Sequence, residues 1–340
     1  MIPRTPASWQ TTTWQNELAQ AISDPTKLLQ ALDLPPSLLG SALTSAQVFP
    51  LRVPRGYVAR MQKGDPHDPL LRQVLPLAQE SLAVPGFSLD AVGDLAAMAA
   101  PGLLHKYHGR VLLVTTGACA IHCRYCFRRH FPYAEANPAL EQWGHSLDYI
   151  RADPSIKEVI LSGGDPLSLS DARLASLVER LAAIPHLKYL RIHTRLPIVL
   201  PERITDELLH WLTGTRLKPT LVIHANHANE LDHAVRYALG QLTARGVVLL
   251  NQSVLLRGVN DSSTALAALS EALFDAGVLP YYLHLLDKVQ GAAHFEVPVA
   301  EACALMEQLR ATLPGYLVPR LVREQAGADS KLPVSYTVTE

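Results

Sequence analysis

The sequence has little cysteine, almost no net charge and no long apolar run. It holds 4 cysteines in 340 residues, and three of them crowd into one short segment, so a disulfide framework is excluded. Lysine plus arginine number 30 against 31 aspartate plus glutamate, a formal net charge of −1. This balance carries no electrostatic footprint for nucleic acid. No apolar stretch approaches the ~20 residues of a membrane span, and no secretory apolar segment follows the opening MIPRTPASWQ, so the chain reads as cytoplasmic, in a reducing compartment.

The scarce cysteines are also the strongest signal. Cys119, Cys123 and Cys126 stand in TTGACAIHCRYCFRR with C-x3-C-x2-C spacing. Three thiolates this close suit three irons of a [4Fe-4S] cluster, leaving the fourth iron open for a small molecule. A structural zinc is the alternative, with His122 or His130 as a fourth ligand, but a second cysteine pair is missing. Such a site would make the chain a non-catalytic zinc or cluster scaffold for a partner protein.

Residues 1–100 show helical apolar spacing interrupted by prolines, as in WQNELAQAI, DPTKLLQAL and DPLLRQVLPL. This predicts a helical N-terminal region, in which Pro66-His67-Asp68-Pro69 reads as a loop without chemistry. From residue 109 short apolar runs alternate with helical periods. Strands are expected at 110–116, 158–165, 189–194, 220–226, 247–256 and 279–286. Helices are expected near 139–151, 171–184, 203–213, 232–245, 262–276 and 298–311, with starts at Ser170-Asp171 and Asp261-Ser262. Six such alternations predict an α/β fold, an open partial (β/α)6 TIM-like barrel over 101–315, followed by a C-terminal segment at 316–340.

Active sites of such barrels gather at the C-terminal strand ends. There the sequence places Cys119, then Ser162-Gly163-Gly164-Asp165, His193, His224-Ala225-Asn226-His227, Asn251-Gln252, and finally His284 with Asp287. Six polar strand ends argue for a common site.

The cysteine loop ahead of a β/α barrel, with SGGDP at the second strand end, resembles the radical S-adenosylmethionine (SAM) superfamily. Five further segments, KYHGRVLLVTTGACAIHCRYCFRRHFP, EVILSGGDPLSLSD, IHANHANE, LLNQSVLLRGVND and YYLHLLDKVQGAAHF, are similar to the lysine 2,3-aminomutase family in its order, from about residue 100 to 333. A late Lys331 in VREQAGADSKLP matches that family's lysine for pyridoxal 5′-phosphate (PLP). The resemblance implies an isomerase that starts from a 5′-deoxyadenosyl radical, made by reducing SAM on a [4Fe-4S] cluster, and moves an amino group with help from PLP.

Carried over residue by residue, the resemblance implies that Lys106, Tyr107 and Arg110 lie near PLP and Lys331 carries it. Ser162, Gly163, Gly164, Asp165, His224 and Gln252 fall on the SAM side. Arg128 takes the α-carboxylate of L-lysine, for which a guanidinium offers a bidentate grip. Asp287 and Glu324 receive its ε-ammonium; the catabolic enzymes have an aspartate at the position of Glu324. Only LPVSYTVTE follows Lys331, without the zinc-binding extension of those enzymes. The short end, the proline-rich N-terminal region and REQAGADSK resemble the branch that supplies (R)-β-lysine for translation elongation factor P, to which a separate lysyl ligase attaches it. A catabolic lysine or a glutamate 2,3-aminomutase is the alternative within the family. The partners implied are L-lysine and an electron donor such as flavodoxin or ferredoxin, with neither nucleic acid nor membrane.

Overall fold

A computed structural model describes residues 14–136 and 143–335. The first residues of the helix expected near 139–151, the start of the 1–100 region and the end of the 316–340 segment lie outside that range. Ten strands form one sheet in sequential order: β1 (Met98–Ala100), β2 (Leu103–Tyr107), β3 (Arg110–Thr116), β4 (Glu158–Gly163), β5 (Tyr189–Thr194), β6 (Lys218–Ile223), β7 (Val248–Val254), β8 (Leu279–His284), β9 (Arg320–Arg323) and β10 (Leu332–Pro333). Strands β3 to β9 pair in parallel, while β1 and β2 precede them and β10 follows as antiparallel additions.

Each of β3 to β8 is followed by a helix, respectively Trp143–Ala152, Asp171–Ala182, Asp206–Thr213, His233–Ala244, Ser263–Asp275 and Val299–Thr312. The result is the expected six β/α units, to which β9 adds a seventh parallel strand. Only four residues long, β9 carries no apolar run distinct enough to be read as a strand beforehand.

Helix starts follow local chemistry. Ser262 Oγ accepts the Ala265 amide at 3.2 Å, as a cap should, whereas Ser170 makes no such bond. Asp171 instead turns inward, where it accepts from Arg203 Nη2 at 2.9 Å and Trp211 Nε1 at 2.7 Å. Arg203 is fully enclosed, stacked over Trp14 and donating to Leu167 O. The prolines of the N-terminal region open helices as much as they break them: Pro25 and Pro69 follow capping Asp24 and Asp68, where a missing amide costs nothing. Asp68 therefore has a structural task, accepting the amides of Leu70 and Leu71 at 2.8 Å each.

One apolar core runs from Trp14, Leu28 and Leu51 through Val111, Leu161 and Leu221 to Val278, so the N-terminal helices pack directly on the barrel. Along β7 buried positions alternate with half-buried or exposed ones. One face of the sheet packs on helices while the other walls a cavity, which imposes a period of two. Removing Arg203 would strand the buried Asp171 carboxylate beside a single indole donor. Arg203→Ala is expected to lower stability by about 3–5 kcal/mol, read as a lower urea midpoint.

Candidate active site

The C-terminal strand ends open into a cavity of about 1110 Å³. This exceeds the roughly 300–1,000 Å³ of an ordinary single-ligand pocket. All sixteen candidate residues line it: Cys119, Cys123, Cys126, Lys106, Tyr107, Arg110, Arg128, Ser162, Gly163, Gly164, Asp165, His224, Gln252, Asp287, Glu324 and Lys331.

The cysteine loop is held by residues with no sequence motif to announce them. Glu80, nearly buried, receives Arg124 Nε at 2.8 Å and Arg129 Nη2 at 2.7 Å, the two arginines that flank Cys126. Backbone bonds from Arg124 N to Gln73 O and from His122 N to Arg52 O complete the clamp, each at 2.9 Å. On the barrel side, Gly164 N and Asp165 N donate to Thr116 O and Ala118 O at 2.7 and 2.8 Å. A side chain at Gly164 would begin 2.3 Å from Ala118 O, and Gly163 adopts φ +126°. The glycines are thus required by the packing of two loops, apart from any approach of SAM.

Burial pushes the Cys119 thiol well above its usual range, with Cys126, Asp165 and Cys123 adding to the effect; burial and Cys123 push Cys126 to about 11. Burial thus favours the protonated thiols, and a bound cation such as cluster iron would be needed to hold them as thiolates. Among the described residues no three His, Cys, Asp or Glu side chains converge to hold one metal ion. The histidines considered for zinc are engaged elsewhere, His122 Nδ1 with Pro50 O at 2.8 Å and His130 Nε2 with Gln290 O at 3.0 Å. On the opposite wall the Nε2 atoms of His193, His224 and His284 are buried without a partner, and burial lowers the basicity of all three rings. Neutral imidazoles facing a cavity fit bound polar cofactors.

Beyond the cysteines runs a chain of alternating charges. Arg128 Nε meets Asp94 Oδ2 at 2.6 Å, Asp94 Oδ1 meets Lys106 Nζ at 2.7 Å, Lys106 reaches Glu324 Oε1 at 3.5 Å, and Glu324 Oε2 meets Lys331 Nζ at 2.6 Å. Tyr107 donates to Glu324 at 2.7 Å, and Arg110 stacks on the Tyr107 ring. Burial alone would raise the pKa of Glu324, but Lys331, Tyr107 and Lys106 hold it below the ordinary value. Asp287 lacks such compensation: burial pushes it to about 7, against the pull of Lys331 and with the push of Glu324. Strand β9 delivers Glu324, and the hairpin it forms with β10 returns the chain to set Lys331 beside it.

Some assignments change in detail. Ser162 Oγ accepts from Arg128 Nη1 at 3.1 Å, so this hydroxyl orients the arginine. Asp165 has its carboxylate fully engaged by Thr194 Oγ1 and the amides of Leu167, Arg195 and Leu196. Gln252 faces the cavity, but its neighbour Asn251 turns away to bind the Ala225 backbone. His227 caps a short turn through Asn229 N. Asp94 and Glu80 were missed because a lone acid in AVGDLAAM or LAQESLAV is indistinguishable from a solvated surface charge.

Residues 113–219 match the Radical SAM superfamily. Over 322 residues the chain is 52% identical to the L-lysine 2,3-aminomutase of Escherichia coli, covering 94% of each protein. The Haemophilus influenzae L-lysine 2,3-aminomutase is 48% identical over 331 residues, 97% of this chain and 98% of that protein. That of Clostridium subterminale is 38% identical over 288 residues, 84% of this chain and 69% of the relative. A three-cysteine loop at the mouth of a β/α barrel, a lysine lining the same cavity and likeness over nearly the whole length agree: the chain belongs to the L-lysine 2,3-aminomutase family of radical SAM enzymes, whose cofactors are a [4Fe-4S] cluster, SAM and PLP.

Proposed function

We propose that this enzyme converts L-α-lysine to (R)-β-lysine and supplies it for post-translational modification of translation elongation factor P, with a separate lysyl ligase completing the transfer. The observation that carries the reading is the meeting, in one cavity, of a carboxylate-binding arginine, two acids and Lys331 beside the cysteine loop. The cluster and SAM, once bound, supply a carbon radical at the substrate, and PLP supplies the conjugated system that lets the amino group move.

The side chains supply the alignment. Arg128, fixed through Nε by Asp94 and through Nη1 by Ser162, presents its remaining edge to the substrate α-carboxylate. Phe127 and Phe131 lie against the guanidinium and strengthen its field by excluding water. Asp287 and Glu324 receive the ε-ammonium at the other end of the substrate. An anionic side chain such as that of glutamate would face two carboxylates there, which disfavours a glutamate 2,3-aminomutase. Lys331 carries PLP, and Lys106 and Arg110 offer cations to its phosphate. Lys106 must then share its charge with Asp94, whose Oδ1 lies 2.7 Å from its Nζ. The elongation factor P assignment is supported by the REQAGADSK segment and the proline-rich N-terminal region, and the electron is expected from a flavodoxin or ferredoxin.

The test is direct. Reconstituted protein with SAM and reductant should turn free L-lysine into β-lysine that chiral chromatography identifies as R. Unchanged lysine sinks the aminomutase reading, and lysylated elongation factor P as the only reactive form moves the substrate from free to protein-bound lysine. Lys331→Ala should abolish the PLP absorption band while iron and sulfide content stay at the wild-type level.

The lysine side chain remains a cation up to pH ~10.4. Asp287 becomes an anion only as pH rises through about 7. The KM for lysine should therefore fall as pH is raised from 6 to 8. Asp287→Asn should flatten this profile and raise KM at least about 30-fold, since breaking a buried charge pair costs at least ~2 kcal/mol.

A further inference from the structure

Arg195 directly follows β5 and is 5% exposed. Its Nη1 donates to Cys123 Sγ at 2.7 Å. Its Nη2 donates to Gln73 Oε1 at 2.6 Å, to Glu230 Oε2 at 2.9 Å and to Tyr57 OH at 3.1 Å. The rings of Tyr57 and Tyr125 flank the guanidinium, with centres 5.5 and 5.6 Å away. Among the described residues, Cys123 is the one cysteine whose sulfur accepts a guanidinium hydrogen bond.

The groups that aim Arg195 are themselves fixed. Gln73 Nε2 donates to Glu230 Oε1 at 3.1 Å, and Asn226 Nδ2 bridges Gln73 Oε1 and Tyr125 OH at 3.0 and 2.7 Å. Glu230 Oε1 also accepts the amides of Asn226 and His227, at 2.9 and 3.1 Å. The Arg195 amide is held by Asp165 Oδ2 at 2.7 Å. With both Nη atoms engaged and only Nε without a partner, the network fixes the position of the cation. Glu230 balances its charge at one nitrogen, so the pair is a buried dipole whose positive end touches sulfur.

We propose that Arg195 is a positioning residue for the iron–sulfur cluster, holding the Cys123 thiolate and raising the potential at which the cluster accepts its electron. Reduction places added negative charge on iron and its sulfur ligands, and a cationic N–H donor stabilises the reduced state more than the oxidised one. The N-terminal region gains a part in the chemistry, because Tyr57 and Gln73 set the aim of the guanidinium. This inference rests on assembly of the cluster at the three cysteines, which the absorption spectrum and iron content of the wild-type protein check separately.

The test compares full-length, reconstituted wild type, Arg195→Lys and Arg195→Gln by iron and sulfide analysis and by EPR-monitored redox titration. In Arg195→Gln the reduction equilibrium should weaken about tenfold, a midpoint about 59 mV lower for one electron. Arg195→Lys keeps the charge but cannot serve sulfur and three oxygen acceptors together, so its midpoint should fall by less. If only Arg195→Lys retains a cluster, its midpoint decides, a fall supporting the role and constancy refuting it. An unchanged midpoint in a fully loaded Arg195→Gln overturns the proposal, as does loss of the cluster from both variants, which would leave Arg195 a structural brace. A wild type that assembles no cluster would refute the cluster site itself.

Discussion

The Arg128–Asp94–Lys106–Glu324–Lys331 chain is the constraint on which the site depends. Its members come from the cysteine loop, the N-terminal region, β2, the end of β9 and the approach to β10. Five charges set into a cavity wall are tolerable only because each cation has an anion within reach; any one of them alone would carry a heavy desolvation penalty. Pairing thereby fixes the relative positions of segments far apart in sequence. It also holds Lys331 in the cavity that the cysteine loop lines.

A second buried network does the same around the cysteine loop. Glu80 is shared between Arg124 and Arg129, while Glu230 pairs with Arg195, and both carboxylates are almost completely buried. The arginines of CRYCFRR have divergent duties as a result. Arg124 and Arg129 brace the loop from behind, and Arg128 between them projects into the cavity toward Asp94 and Ser162. The N-terminal helical region is accordingly part of the site, through Glu80, Gln73, Tyr57 and Asp94, and shares one apolar core with the barrel.

The residues that line the cavity were legible where spacing or chain order carries meaning. Three clustered cysteines, SGGDP after the second strand and a late lysine suffice to name the reaction class, and alternating strand and helix periods locate the six units within a few residues. Illegible were the single acids Glu80 and Asp94 and the aim of Arg195, because their roles arise from partners 34 to 72 residues away, such as Arg128 opposite Asp94, Arg124 opposite Glu80 and Cys123 opposite Arg195. Strand β9 escaped notice for a related reason: four residues become a strand by pairing with β8, not by their own periodicity.

The sequence by itself therefore determined which donor atoms are available, three clustered thiols and a late amine among them, and which apolar periods make strands and helices. These are properties of residue type and local spacing, which the chain carries even when unfolded. Tertiary structure alone decided what each polar group is free to do. Folding engaged Asp165, Asn251 and His227 in the scaffold, pushed the Asp287 carboxyl up to about 7, and placed the guanidinium of Arg195 against the Cys123 sulfur. The physical reason is that hydrogen-bond partners and desolvation belong to the packed state, where a group's freedom is set by whatever the fold brings within 3 Å of it.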